Sequence, residues 1–305
     1  MKASHLLILL LLIASPSIAQ VPAVAWANKV VGGASKSLGM DPQGNTYTFG
    51  NIGLTAFIDV DPGPGTHIAY GDSGTVMIYK FSNAGSFVWV KQLPFSVTVE
   101  CIRADADQNV YIIGTYGLTI DFDPGPAVFN LTGKGQNDVF ILKLDAAGDF
   151  IWAKSIGGIT SDVGVSLTVG DDGTVYFTGY FDGTSDFDPG SGTYNLTAQN
   201  QADCFVAALN SNGNFAWAIR ITGAFNQGLS IVTSPSGGLV VGGAFGGIIN
   251  FGSETITSNG GADVFIVKLT TGGIIVWGKT VGSIGTDQDV SVALGPNNEV
   301  YATAS

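Results

Sequence analysis

The chain has 305 residues, 45% apolar and only 12% charged, with 44 glycines. So little charge excludes long solvated helices, coiled coils and disordered tails. A net charge of −12, from 12 basic and 24 acidic residues, has the wrong sign for gripping a phosphate backbone, so no nucleic-acid partner is expected.

Residues 1–19 read as a secretory leader. Lys2 supplies the positive start, Leu6 to Ile13 is an eight-residue apolar run, and Ser17 and Ala19 are small residues suited to cleavage before Gln20. That run is too short to span a bilayer, and no later stretch reaches about 18 uninterrupted apolar residues, so no membrane span is expected. No cysteine follows the cleavage site, which argues against a lipid anchor. The mature chain, residues 20–305, is therefore expected to be secreted or held on the outer cell surface.

Five tryptophans then set a period. Trp26, Trp89, Trp152, Trp217 and Trp277 are 63, 63, 65 and 60 residues apart. Gly85, Gly148, Gly213 and Gly273 each stand four residues before a tryptophan, and Lys80, Lys143 and Lys268 stand nine before, with Ala208 breaking the series. The segments DVFILKLDAAGDFIW, DCFVAALNSNGNFAW and DVFIVKLTTGGIIVW read as strand, turn, strand, with the glycine at a positive-φ position that often carries a bulge. A second hairpin follows each tryptophan. Tyr47, Tyr111, Tyr176 and Tyr301, with Val240 in the fourth copy, share one position, and Gly44, Gln108, Gly173, Gly237 and Asn298 occupy its turn. About 20–25 residues join that hairpin to the next DVF-type strand.

A four-stranded unit at fixed period, with strands that are near-continuous apolar runs, predicts sheets buried on both faces. The expected fold is all-β, an antiparallel β-propeller of four-stranded blades. There are five tryptophan and tyrosine strands but four DVF-type strands, so four full repeats and a partial fifth are expected. Closing a ring would need one more DVF-type strand after Ser305, and the ring is therefore expected to be incomplete, a piece of a longer reading frame.

The segment WAKSIGGITSDVGVSLTVGDDGTVYFTGYFDGTSDFDP, Trp152 to Pro189, resembles the SBBP repeat, a β-propeller repeat of bacterial secreted and cell-surface proteins. The matching features are Gly157-Gly158, Asp162, the Asp172-Gly173 turn, Tyr176 with Gly179, and the trailing Asp-Phe-Asp-Pro. All five copies match to some degree, from about Trp26 to the end. The resemblance implies a propeller and an extracellular place, and for bacteria of the Bacteroidetes type it implies cargo of the type IX secretion system. It implies no activity.

Candidate chemistry is acidic. Asp59-Val60-Asp61-Pro62-Gly63, Asp121-Phe122-Asp123-Pro124-Gly125 and Asp186-Phe187-Asp188-Pro189-Gly190 occupy one place in copies one to three. Residues two apart in an extended segment point the same way, so each copy sets two carboxylates together, and calcium accepts such sets. Alternatively, the second aspartate caps a Pro-Gly turn through backbone amides while the first faces water. Copy four, Asn250-Phe251-Gly252-Ser253, should hold no metal. His67 is the one histidine after the leader and reads as a solvent-facing loop residue. No nucleophile-and-base set or zinc-ligand set surrounds it. Cys101 replaces serines of the other copies and Cys204 replaces valines, and both are expected to be free, buried thiols.

The function expected from the residues is an exported binding or adhesion scaffold without catalysis, its partner a surface polysaccharide, matrix component or protein. The joining segments, with their acidic loops, would be its contact surface. Two other readings stay open: a carbohydrate-active or quinoprotein-like propeller enzyme, and a purely structural surface module.

Overall fold

A computed structural model describes residues 36–304, except 54, 55, 73, 200, 201, 235, 236, 253 and 296. The leader and Trp26 lie outside the described residues. All regular structure is β, in antiparallel sheets. Among the described residues, no helix is long and apolar enough to cross a membrane.

The strands fall into blades. The first blade is Leu38–Met40, Thr46–Asn51, Val76–Phe81 and Phe87–Leu93, paired in that order. The second is Val97–Ala104, Val110–Tyr116, Asp138–Leu144 and Phe150–Gly158. In the third, Asp162–Val169, Val175–Phe181 and Asp203–Leu209 are completed by the start of the long strand Phe215–Thr233. The rest of that strand opens the fourth blade, followed by Leu239–Phe251, Glu254–Leu269 and Ile275–Val281. Ser291–Leu294 and Val300–Thr303 form two strands of a fifth. Side chains from the first strands of the second to fifth blades, including Glu100, Ser166, Ser230 and Ser291, line one central cavity together with Lys36 and Ser37, just ahead of the first blade's first strand. The molecule is an incomplete β-propeller of four-stranded antiparallel blades.

The third strands carry the core. All seven residues of Asp138–Leu144 and of Asp203–Leu209 are buried. Their side chains alternate between neighbours: Phe140, Leu142 and Leu144 pack toward the first blade, while Val139 and Ile141 pack toward the third. A single sheet cannot bury both of its faces by itself, so four apolar clusters sit between consecutive blades, while the outer face of the first blade is covered by its own inserted hairpin through Val60 and Ala69.

Turn chemistry explains the glycines. Gly85, Gly148, Gly213 and Gly273 have φ of 78°, 80°, 75° and 80°, and the strand register slips at each of these hairpins. Gly114, Gly179 and Gly243 are needed for a different reason. A bulge in the adjacent first strand drives a carbonyl against them, and a Cβ would lie 1.9–2.1 Å from that oxygen.

Three contacts repeat between blades. The indole N–H of Trp89, Trp152 and Trp217 donates to a carbonyl in the next blade's outer hairpin, Ala146 O at 3.1 Å, Ser211 O at 3.2 Å and Thr271 O at 2.9 Å. The same indole lies against the positive-φ glycine of that hairpin, where a Cβ would come within about 2.7–3.2 Å. Lys80 and Lys143 reinforce the joint, reaching Ala146 O and Ser211 O with their ammonium groups. Along the axis, the hydroxyls of Ser37, Ser166 and Ser230 accept the N–H of Ile102, Ile231 and Val292 in the next blade, at 3.2–3.3 Å. Cys101 stands at the matching place and instead directs its thiol to Leu167 O at 3.8 Å.

Two outcomes test this packing. Trp152→Ala should lower stability by about 3–5 kcal/mol in thermal or denaturant unfolding, the cost of emptying a buried aromatic site. Cys101→Ser should raise stability in thermal unfolding, because the hydroxyl can accept the Leu167 N–H as its sister serines accept the matching N–H of their next blades, and Ser166→Ala should lower it, each by about 1 kcal/mol.

Candidate functional site

Two regions gather polar side chains: a depression at the end of the ring that carries the tight turns, and the hairpins inserted between the second and third strands.

The depression, of about 570 Å³, lies between the turns of the first three blades. Tyr111, Lys143 and Trp152 are cross-strand neighbours on three adjacent strands, as are Tyr47, Lys80 and Trp89. The ammonium of Lys143 sits 5.0 Å from the Tyr111 ring centre, and that of Lys80 5.3 Å from Tyr47. Copy three replaces the lysine with Ala208, and copy four replaces the tyrosine with Val240. Tyr111 and Lys143 line the depression together with Asp41, Asp105, Asp107, Asp171 and Asp172.

Asp41 and Asp105 are committed to their turns. Asp105 accepts N–H from Asp107 and Asn109, the Asn109 amide, and the Tyr111 hydroxyl at 3.0 Å. Asp41 accepts the matching bonds from Gln43, Asn45 and Tyr47. Burial opposes the charge on Asp41, but the bonds from Asn45, Tyr47 and Gln43 outweigh it and hold its carboxyl below the usual range. Burial and the facing carboxylates push the hydroxyls of Tyr47 and Tyr111 well up. Desolvation draws Lys80 and Lys143 down, countered by the nearby aspartates. Asp107, Asp171 and Asp172 remain exposed and give the rim its negative charge.

The inserted hairpins are Ala56–Asp59 with Ile68–Gly71, Thr119–Asp121 with Asn130–Thr132, and Thr184–Asp186 with Asn195–Thr197. Asp186 and Ser185 pair with Gly157 and Gly158, so the third hairpin extends the outer edge of the second blade. Each tip repeats one hydrogen-bond set. Asp59 Oδ1 accepts the N–H of Asp61 and of His67, and Asp61 Oδ1 accepts that of Gly63. Asp121 and Asp123 do the same for residues 123, 129 and 125, and Asp186 and Asp188 for residues 188, 194 and 190, all at 2.7–3.2 Å. The first aspartate closes the hairpin and the second caps the Pro-Gly turn, so the first does more than face water. The middle residue is core: Val60, Phe122 and Phe187 are at most 1% exposed, and Phe251 fills the same place in copy four.

The six aspartates thus sit in pairs on three separate hairpins. Among the described residues, no three His, Cys, Asp or Glu side chains gather as a cation cage. His67 is exposed, and its ring packs on Phe87 at 5.3 Å, as Phe129 packs on Phe150 and Tyr194 on Phe215. It occupies an aromatic position of the repeat. Cys101 and Cys204 are free and buried, and burial raises the Cys204 thiol to about 12, far from thiolate reactivity.

One association was not foreseen from sequence. Glu100 and Arg103 both line the central cavity, where Glu100 pairs with Lys36 at 2.8 Å and Arg103 donates to the Ser37 hydroxyl at 3.0 Å. Their shared first strand was the available signal.

No protein-family model matches the chain. It is similar to an uncharacterized WD repeat-containing protein, L264, of Acanthamoeba polyphaga mimivirus, 25% identical over 66% of this chain and 17% of that protein. It is also similar to the regulatory protein FlaEY of Caulobacter vibrioides, 28% identical over 58% of this chain and 19% of that protein. The chain therefore spans under a fifth of the length of either. A crystal structure of a protein of unknown function from Bacteroides caccae aligns over 81% of both chains at 10% identity, with a TM-score of 0.35.

Proposed function

We propose that this chain is an exported, cell-surface β-propeller scaffold of the SBBP-repeat kind, which binds a surface polysaccharide, matrix component or protein through its inserted hairpins. The observation that carries this reading is the threefold repetition of one rigid tip. Three loops with the same aspartate pair, the same backbone bonds and the same supporting aromatic stack are presented along the rim. Repeated weak sites on a stiff frame gain avidity, whereas an active site needs groups unique to one place. Exposed Phe57, Ile68 and Tyr70 on the first hairpin, and Val128 and Tyr194 on the others, supply apolar surface beside the acids.

The bonds to both Oδ1 atoms favour a turn-locking role for the aspartates. A calcium ion at a tip would have to use the Oδ2 atoms and backbone carbonyls. A second reading, a carbohydrate-active enzyme, draws on the turn-end depression with its exposed Asp107, Asp171 and Asp172.

Labelled full chain should bind intact cells of the producing organism or their extracted surface polysaccharide. Asp61→Ala, Asp123→Ala and Asp188→Ala together should reduce that binding at least tenfold while the melting temperature falls only a few degrees. Undiminished binding by that variant rejects the rim as the contact surface, and release of sugar fragments that Asp171→Asn abolishes favours the enzyme. Millimolar calcium should leave the melting temperature unchanged. A rise that is lost in Asp121→Asn with Asp123→Asn would reassign the tips as metal sites.

A further inference from the structure

At the end of the ring opposite the tight turns, each blade presents the residue that enters its third strand to the residue that enters the next blade's first strand. The facing pairs are Thr75 with Val97, Asp138 with Asp162, Asp203 with Asn226, and Asp263 with Asp287. The register is tight, because the backbone N–H of Asp162, Asn226 and Asp287 donates to the carbonyls of Asn137, Ala202 and Ala262 at 2.7–3.2 Å. Each acid of the third strand also accepts one N–H on Oδ2, from Lys134, Gln199 and Asn259 respectively.

The three junctions that carry an acid differ in how its other oxygen fares. In the third junction, Asn226 donates its amide to Asp203 Oδ1 at 3.3 Å, and Arg220 lies 3.2 Å from Oδ2. In the second and fourth, where an aspartate replaces the asparagine, Oδ1 of Asp138 and of Asp263 is buried without a hydrogen-bond partner. Among the described residues these are the two buried carboxylate oxygens so left. Asp138 and Asp162 are 0% and 1% exposed, and a Cβ on Gly157 would lie 2.5 Å from Asp138 Oδ1 and 2.8 Å from Asp162 Oδ2, so both oxygens border one small space. Two buried carboxylates that close cannot both stay charged without something between them. The sister junction shows what fits there: a polar hydrogen.

We propose that Asp138 and Asp162 form a proton site built into the joint between the second and third blades, holding one shared proton while the blades are docked and weakening the joint when that proton leaves. The hydrogen does for this junction what the Asn226 amide does for the next. The surroundings agree with one net charge. Asp162 accepts the Gly158 N–H and the Ser185 hydroxyl, the Lys134 ammonium lies toward Asp138 while pairing with Asp186 at 3.6 Å, and Asp182 and the Tyr116 hydroxyl are the other titratable neighbours. Desolvation raises both carboxyls, Asp162 to about 6, with Asp138 adding to the rise and the hydrogen bonds opposing it. The proton belongs to the pair, so the pair titrates as a unit. Because the folded value lies above the unfolded one near 4, this contribution to stability is complete below about pH 4, is lost between about pH 4 and 6, and is flat above.

Asp138→Asn in the full chain tests the idea. Its amide oxygen can keep the Lys134 N–H while its NH2 takes the place of the unpartnered Oδ1 and donates to Asp162, so the hydrogen is supplied permanently. The variant should unfold at a higher temperature than wild type at pH 7, and the difference should shrink as the pH falls to 4. Asp171→Asn removes the same charge from an exposed loop and should keep the wild-type pH dependence. Across the window the wild-type folding constant should fall by up to about tenfold per pH unit relative to Asp138→Asn. Carbon-13 titration of the native side-chain carboxyls gives a second measurement that needs no variant, with one aspartate of the pair expected to stay protonated to about pH 6. Full ionisation of both by pH 4.5, or parallel pH curves for Asp138→Asn and wild type, overturns the proposal. So does stabilisation by calcium that Asp138→Asn abolishes, which would put a metal cation where we place the proton.

Discussion

The joint between neighbouring blades governs this molecule. A blade of four strands is apolar on both faces, and rings that meet within it, such as Tyr111 and Trp152, are covered only when the next blade packs against them. The tryptophan indole finds its hydrogen-bond acceptor and its flat apolar neighbour, a glycine turn, only on the following blade. The serine hydroxyl on the axis makes the same demand. Interior packing, outer-edge packing and axial hydrogen bonds therefore point from one copy to the next, and the three largest cores are each shared between copies. Propeller stability in this chain is a sum of neighbour terms, the behaviour expected of repeat architectures.

Much of that was legible in the residues. The tryptophan period and the apolar third strands were enough to assign blades, because a period-63 pattern of hairpins leaves few other ways to bury both sheet faces. The turn registers were also readable. Gly44, Gln108, Gly173, Gly237 and Asn298 all have positive φ, including the two that are not glycine. Trp26 and the leader lie outside the described residues, and the ring's full extent is not a property of the blades themselves.

What escaped sequence reading was partnership across copies. The Asp-Phe-Asp motif drew attention through its charges, yet its middle residue is the buried plug, which the period-two alternation of a strand could have indicated. Copy four kept that plug as Phe251 while losing both acids, so packing and charge are separable parts of the motif. The buried aspartates at the blade junctions were invisible because Asp138 and Asp162 belong to different copies, 24 residues apart, and each alone looks like a turn or edge residue. Glu100 and Arg103 were missed for a related reason: Lys36, which Glu100 pairs with, and Ser37, which Arg103 binds, lie in the preceding blade.

The rim hairpins have one more implication, for how such a chain can change its length. The indole, lysine and serine contacts between blades are made by strands and tight turns, while the tryptophan-to-tryptophan distance varies from 60 to 65 residues. The larger share of that slack falls between the tyrosine and lysine positions, where the hairpins are inserted: 33, 32 and 32 residues in copies one to three and 28 in copy four. Insertions and deletions are thus steered to the periphery, and duplication of a whole unit reproduces each joint intact. A lineage carrying this architecture can enlarge its ring by copying, and diversify its outer loops, without renegotiating its interior.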